Sequence, residues 1–175
     1  MDKVSKISYV QFSENPVRDF FLRFYLKDIQ PTSLIIVSPF IGNLSKTRFS
    51  LERLRRRIEE EKIPTFIITR DSEDEFHKAS IDIFKNTDLV EIRYNNSLHA
   101  KLYICMGNDT GFAMLGSGNL SRTSMERTIE IGLLILPHDR GKLILRELFQ
   151  WGSIRLRTLK ESKIAKKIKI QRRIK

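Results

Sequence analysis

At 175 residues the chain is long enough for one domain with a substantial core and too short for two comfortable ones. Lys and Arg number 32 against 21 Asp and Glu, a formal net charge of +11, so a polyanionic partner is the natural expectation. The bland alternative is a basic soluble protein without one, since charge bears on encounter and solubility and not on fold. Lone Cys105 excludes an intramolecular disulfide, no apolar run approaches the ~18 residues of a membrane span, and MDKVSKISYVQ lacks a signal-peptide core, so a cytoplasmic protein is expected.

Asn15 and Pro16 read as an N-cap and first helical position, and Val17, Phe20, Phe21, Phe24, Tyr25 and Leu26 follow at helical spacing, predicting a helix that ends near Pro31. LIIVSPF (34–40) is a continuous apolar run of the kind buried in parallel sheets. Residues 46–62 predict a charged helix with Phe49, Leu51, Leu54 and Ile58 inward. FIITR (66–70) is a second strand, 73–86 a helix and LVEIRY (89–94) a third strand. This alternation means right-handed crossovers and a parallel sheet with helices on its faces. From 98 the rhythm changes: LHAKLYICM and GFAMLGS, joined by GNDT, predict an antiparallel hairpin. A short polar helix or turn is expected over 119–127, a buried strand over 129–136, and a closing helix from 141 to about 160 with Gly152 as a candidate kink. The fold class is therefore α/β, a mixed, mainly parallel sheet flanked by helices, in one domain over 1–162 with a basic tail over 163–175. Two readings of the tail stay open: an arm that tracks phosphates, or a continuation of the last helix with solvated lysines.

Residues i and i+2 of a strand point to one face, so His99 and Lys101 share a side of the sheet. The hairpin returns Ser117 and Asn119 beside them. Lys101 supplies a fixed charge, Asn119 amide donors, Ser117 a hydroxyl, and Gly116 and Gly118 allow close backbone approach to an oxyanion, which together describe a phosphate cradle. A cradle alone needs no imidazole, whereas His99 titrates near neutral pH and can act as nucleophile or proton carrier. Glu130, in the apolar context TIEIGLL, is expected to hold the second ring nitrogen of His99. Ser38 and Arg70, each ending a parallel strand, are further substrate-binding candidates, as is Arg122 just past the motif, with Arg127 beside it. Arg70 has an alternative in an ion pair with Asp71 or Asp74, and those acids with Glu75 read as helix capping and not as a magnesium site. His77 and His138 read as ordinary core or surface histidines. No cluster of three ligands at metal spacing is visible, so neither metal nor cofactor is expected.

His99-x-Lys101, then Gly116-Ser117-x-Asn119, then Glu130 resembles the active-site signature of the phospholipase D superfamily, with similarity extending over the SPF loop and the ITR strand end, so over most of residues 30–137. It is most similar to single-motif nucleases and to the cleavage domains of restriction endonucleases. The resemblance implies a metal-independent phosphodiesterase in which the motif His is the nucleophile, a second motif His protonates the leaving oxygen, and Lys and Asn bind phosphate. One motif copy implies a homodimer with two His99 residues facing across a shared site. The Asp usual in the family five residues after the Lys is Met106 here, with Asp109 three residues later.

The leading function is thus a nuclease acting on DNA or RNA through a phosphohistidine. Its rivals are a hydrolase of anionic lipid such as cardiolipin, for which a basic tail with interleaved isoleucines would suit a membrane surface, and a non-catalytic nucleic-acid-binding subunit. With no DNA-reading domain visible, weak sequence preference or a separate targeting subunit is expected.

Overall fold

Asn15 turns the chain into its first helix. Its carboxamide oxygen accepts the Arg18 N–H at 3.3 Å, and Pro16 occupies the first helical position, where a missing N–H costs nothing. In the computed structural model, which describes residues 8–26, 29–42, 44, 47–138 and 140–168, this helix is α1, Pro16–Tyr25. It follows strand β1, Val10–Ser13, and precedes β2, Ser33–Val37. Ser50 caps α2, Leu51–Glu60, and Asp74 caps α3, Glu75–Lys85, on either side of β3, Thr65–Thr69. Then come β4 (Val90–Tyr94), β5 (Leu102–Met106), β6 (Gly111–Gly116), α4 (Arg122–Glu126) and β7 (Gly132–Ile135). Helix α5, Gly141–Gln150, runs through a π-helical turn, Trp151–Arg155, into α6, Leu156–Thr158, and the last strand is β8, Lys163–Lys166.

The eight strands form one sheet in the order β1-β7-β6-β5-β2-β3-β4-β8. Parallel pairing is confined to β2–β3 and β3–β4; the other neighbours are antiparallel. The sheet is mixed as expected, but the expectation of a mainly parallel one is corrected. The parallel crossovers end at β4: β5 and β6 are joined by a tight turn over 107–110, and the link from β6 to β7, although it carries α4, brings β7 back antiparallel.

Helices α1, α2 and α3 cover one face of the sheet. Phe20 packs at 5.5 Å from the Tyr103 ring and 5.2 Å from that of Phe112, and each such fully buried aromatic contributes about 1.5–3 kcal/mol. The other face, with Ile35, Val37, Ile68, Leu102, Ile104 and Ile135, is closed by Leu145 and Leu156 of the last helical stretch. Gly152 lies in that stretch, where a Cβ would meet Ile35 Cγ2 at 3.1 Å, so the backbone sits close on β2; the expected kink is a widened π turn.

Beyond β4 the chain departs from its expected tail. Residues 163–166 add an edge strand, neither free arm nor helix, while 169–175 lie outside the described residues. The Lys166 ammonium donates to the carbonyls of Phe84 at 3.0 Å, Val90 at 3.1 Å and Thr87, closing the end of α3. Nearby, buried Glu91 accepts both Nε and Nη2 of Arg157 at 2.8 Å and Arg93 Nε at 2.7 Å. Burial pushes its carboxyl up, but the two guanidiniums hold it below the ordinary value. Among the described residues no helix is long and apolar enough to cross a membrane.

Candidate functional site

Register decides what meets at the site. Leu102 pairs with Leu115 across the β5–β6 hairpin, and the Gly116 N–H donates to the Lys101 carbonyl at 3.3 Å. The extended lead-in 98–101 thus lies against the residues leaving β6. Strand alternation sends Leu102 into the core under α5 and Tyr103 into the core under α1, so Lys101 and His99 take the α1 side. The Tyr103 hydroxyl donates to the Gly118 carbonyl at 2.9 Å and pins the motif loop to β5. Ser117 bridges to the start of β7: its N–H donates to the Ile131 carbonyl at 2.9 Å, and its oxygen accepts the Ile131 N–H at 3.0 Å.

Half-buried Glu130 is the centre of the polar network. Its carboxylate accepts from the Ser117 hydroxyl and, at 2.7 Å, from Thr128. Partial burial pushes its carboxyl up, but hydroxyl bonds from Ser117, Thr128 and Ser124 and the Lys101 charge bring it below the ordinary value, so it is an anion at neutral pH. This corrects the expected role of Glu130, because its oxygens serve hydroxyls and not the imidazole. The His99 ring is exposed and has no hydrogen-bond partner among the described residues; its carbonyl accepts the Lys101 ammonium at 2.9 Å. Asn119 is half-buried, and its side-chain oxygen has no hydrogen-bond partner. Spacing alone did not single out Thr128, although its position two residues before Glu130 in an extended segment was a usable signal.

Several candidates have other work. Ser38 is fully buried: its hydroxyl donates to the Phe40 carbonyl at 2.6 Å and accepts the Leu120 N–H at 2.9 Å. It ties the loop after β2 to the motif loop and has no side-chain surface to offer a substrate. Gly116 and Gly118 make room for protein. A Cβ on Gly116 would stand 2.7 Å from the Ile131 carbonyl oxygen and 2.9 Å from Pro16, and one on Gly118 would stand 2.8 Å from Val17. Their smallness seats α1 against the hairpin, which corrects the expected approach to an oxyanion. Arg70 donates to the Leu98 carbonyl at 2.6 Å, one residue before His99, instead of pairing with Asp71 or Asp74. Arg122 is held by Glu126 at 2.6 Å, and Arg127 is the exposed cap of α4.

His77, an ordinary core or surface histidine by sequence, is buried. Its Nδ1 accepts the Ile41 N–H at 3.0 Å and its Nε2–H donates to the Arg70 carbonyl at 3.0 Å, bolting the loop after β2 to the end of β3. Burial holds its pKa below the ordinary value, which keeps that neutral tautomer in place. Met106 stands at the far end of β5 from Lys101, paired with Gly111 and Ser33, so the departure from the family pattern lies away from the charged cluster.

Several solved structures share this architecture. Nuc of Salmonella typhimurium, a phospholipase D family member, superposes with a TM-score of 0.62 at 13% identity over 89% of this chain and 96% of its own. The fold is phospholipase D-like. NucT from Helicobacter pylori aligns with a TM-score of 0.59 at 14% identity over 89% of this chain and 99% of its own. The phosphatidylserine synthase of Haemophilus influenzae Rd KW20 aligns at 0.60 and 17% identity over 91% of this chain but only 40% of its own. No protein-family model and no curated protein sequence matches the chain. On this phospholipase D-like sheet, His99, Lys101, Ser117, Asn119 and Glu130 sit at the end where β5 starts, β6 stops and β7 starts.

Proposed function

We propose that this chain is a phosphodiesterase acting on nucleic acid, with His99 as nucleophile in a site shared by two copies. What carries the reading is the hairpin register, which sets the His99–Lys101 lead-in against the loop whose Ser117 binds the Glu130 anion. In the proposed reaction a neutral ring nitrogen of His99 attacks phosphorus, the bond to the leaving oxygen breaks, and that oxygen takes a proton from the imidazolium of the second copy's His99. Water then attacks the phosphohistidine, passes its proton to the second imidazole and frees His99. Lys101 and the Asn119 amide balance charge on the phosphoryl oxygens. No metal or cofactor takes part in these steps.

The second copy is supported by what one chain lacks. His77 is buried under the loop after β2, and His138 follows the far end of β7, so neither reaches the site as a second proton carrier. Ile129 and Ile131, on either side of Glu130, are exposed, and the exposed pair Leu133 and Phe12 extends this apolar strip along the edge. This strip lies on the sheet face of Ile135, opposite Glu130, and an exposed apolar strip of this kind suits burial against a second copy.

A second reading is a nucleic-acid-binding subunit without catalysis, favoured by Glu130 turning to hydroxyls and leaving the His99 ring without an orienting partner. One experiment separates them: hydrolysis of bis(p-nitrophenyl) phosphate in excess EDTA by the wild type and His99→Ala, with light scattering on both. A scattering mass of two chains and loss of at least about a thousandfold in rate are expected. A rate unchanged in the variant or abolished by EDTA sinks the mechanism, and an active monomer at all dilutions sinks the shared site.

A further inference from the structure

On the far side of α4 from Glu130 lies a cleft of about 580 Å³, lined by Arg18, Thr47, Arg48, Phe49, Met125 and Glu126. Helix α4 is the shared wall. Ser124 turns to Glu130 and stands beneath Gly118, while the next two residues face the cleft. The neutral polar groups of the cleft are engaged internally. The Asn15 amide donates to the Met125 carbonyl at 2.8 Å, and the Thr47 hydroxyl donates to the Leu44 carbonyl at 3.0 Å and accepts the Phe49 N–H at 3.1 Å. Glu126 is held by Arg122 at 2.6 Å.

What remains are the guanidiniums of Arg18 and Arg48. Both residues are exposed, and neither forms an ion pair with a carboxylate of the described residues. Arg48 lies 5.0 Å over the Phe49 ring, an arrangement that leaves its N–H edges open to a ligand. With Arg122, the cleft sets three guanidiniums against one carboxylate, so two positive charges stand uncompensated in a concave site.

We propose that this cleft binds the phosphates of a polynucleotide strand on one side of the bond held at His99. The proposal rests on the reading of the His99 site as a phosphodiester site. A strand suits the cleft better than a lipid surface. The two cations come from separate elements along a groove, matching a repeating anion, and the apolar residues there, Phe49 and Met125, are buried and have nothing to insert into a bilayer.

The test reads binding, with chemistry removed by His99→Ala. Fluorescein-labelled single-stranded DNA of about 4 and about 16 nucleotides is titrated by anisotropy at several salt concentrations. Adding Arg18→Gln and Arg48→Gln is expected to weaken the longer strand about tenfold and the shorter one much less. It should also lower the slope of log affinity against log salt by about 1.4, two phosphates at about 0.7 each. Arg18→Lys with Arg48→Lys should restore most of the affinity, since a point charge serves a phosphate. Unchanged affinity and slope for the longer strand, in Gln variants that melt like their parent, overturn the proposal. So does a loss seen only with phosphatidylglycerol vesicles, which marks a membrane site. A wild type that hydrolyses nothing while this binding signature holds overturns the catalytic reading alone; hydrolysis with binding indifferent to both arginines overturns the cleft alone.

Discussion

Glu91 and Glu130 are both partly removed from water, and both are held as anions below their ordinary pKa, yet by opposite means. Glu91, on β4 next to the edge strand β8, is matched by two guanidiniums in direct contact, one of them stacked 4.1 Å over Phe66. Glu130 is matched in the main by neutral hydroxyls, with the Lys101 charge acting at a distance. A fully paired carboxylate is locked and can only hold elements together. One stabilised by hydroxyl dipoles keeps its charge without a direct ion pair, so Lys101 and the His99 ring form no bond to it.

The contrast predicts a division of effects. Glu91→Ala leaves two guanidiniums in place with no counter-charge and should cost about 3–5 kcal/mol, read as a lower urea midpoint. If the loss is under about 1 kcal/mol, the β4 network is surface decoration. Acid should act next. Each carboxyl has a folded pKa below its ordinary value of 4.5, so its contribution is full above about 4.5 and is lost as pH falls through the folded value. The wild type should therefore lose stability more steeply than Glu91→Gln as pH falls below about 4.5; equal slopes would mean that Glu91 carries none of the acid sensitivity. The smallest effect belongs to Thr128→Val, which removes the exposed hydroxyl that reaches both Glu130 and the Thr123 carbonyl and should cost about 0.5–1 kcal/mol or less. Its sharper readout is the Glu130 carboxyl titration by carbon NMR, which should move upward; no movement would assign the anion's stabilisation to Ser117, Ser124 and Lys101.

Periodicity made the middle of this fold legible. The inner faces of α1, α2 and α3 repeat at helical spacing, and the runs of β2, β3 and β4 are buried on both sides. The two outermost strands were not legible, because VQFS and KIAK expose most of their side chains and carry no continuous buried run. The site divides the same way. Strand parity and turn chemistry were enough to bring His99, Lys101, Ser117 and Glu130 to one end of the hairpin. They could not say which hydroxyl reaches which oxygen, so the partner of Glu130, the burial of Ser38 and the packing role of Gly116 and Gly118 emerged only in three dimensions.

Strand β8 gives the lysines near the end of the chain a second meaning. A sheet that stopped at β4 would present a row of open N–H and C=O groups to any other β-strand in solution. KIAK closes that row and sets Lys163 and Lys166 at the new border, the latter drawn back over α3. Charge that composition assigns to an anionic ligand here also keeps the sheet finite, so that two molecules meeting at this edge repel and do not zip together.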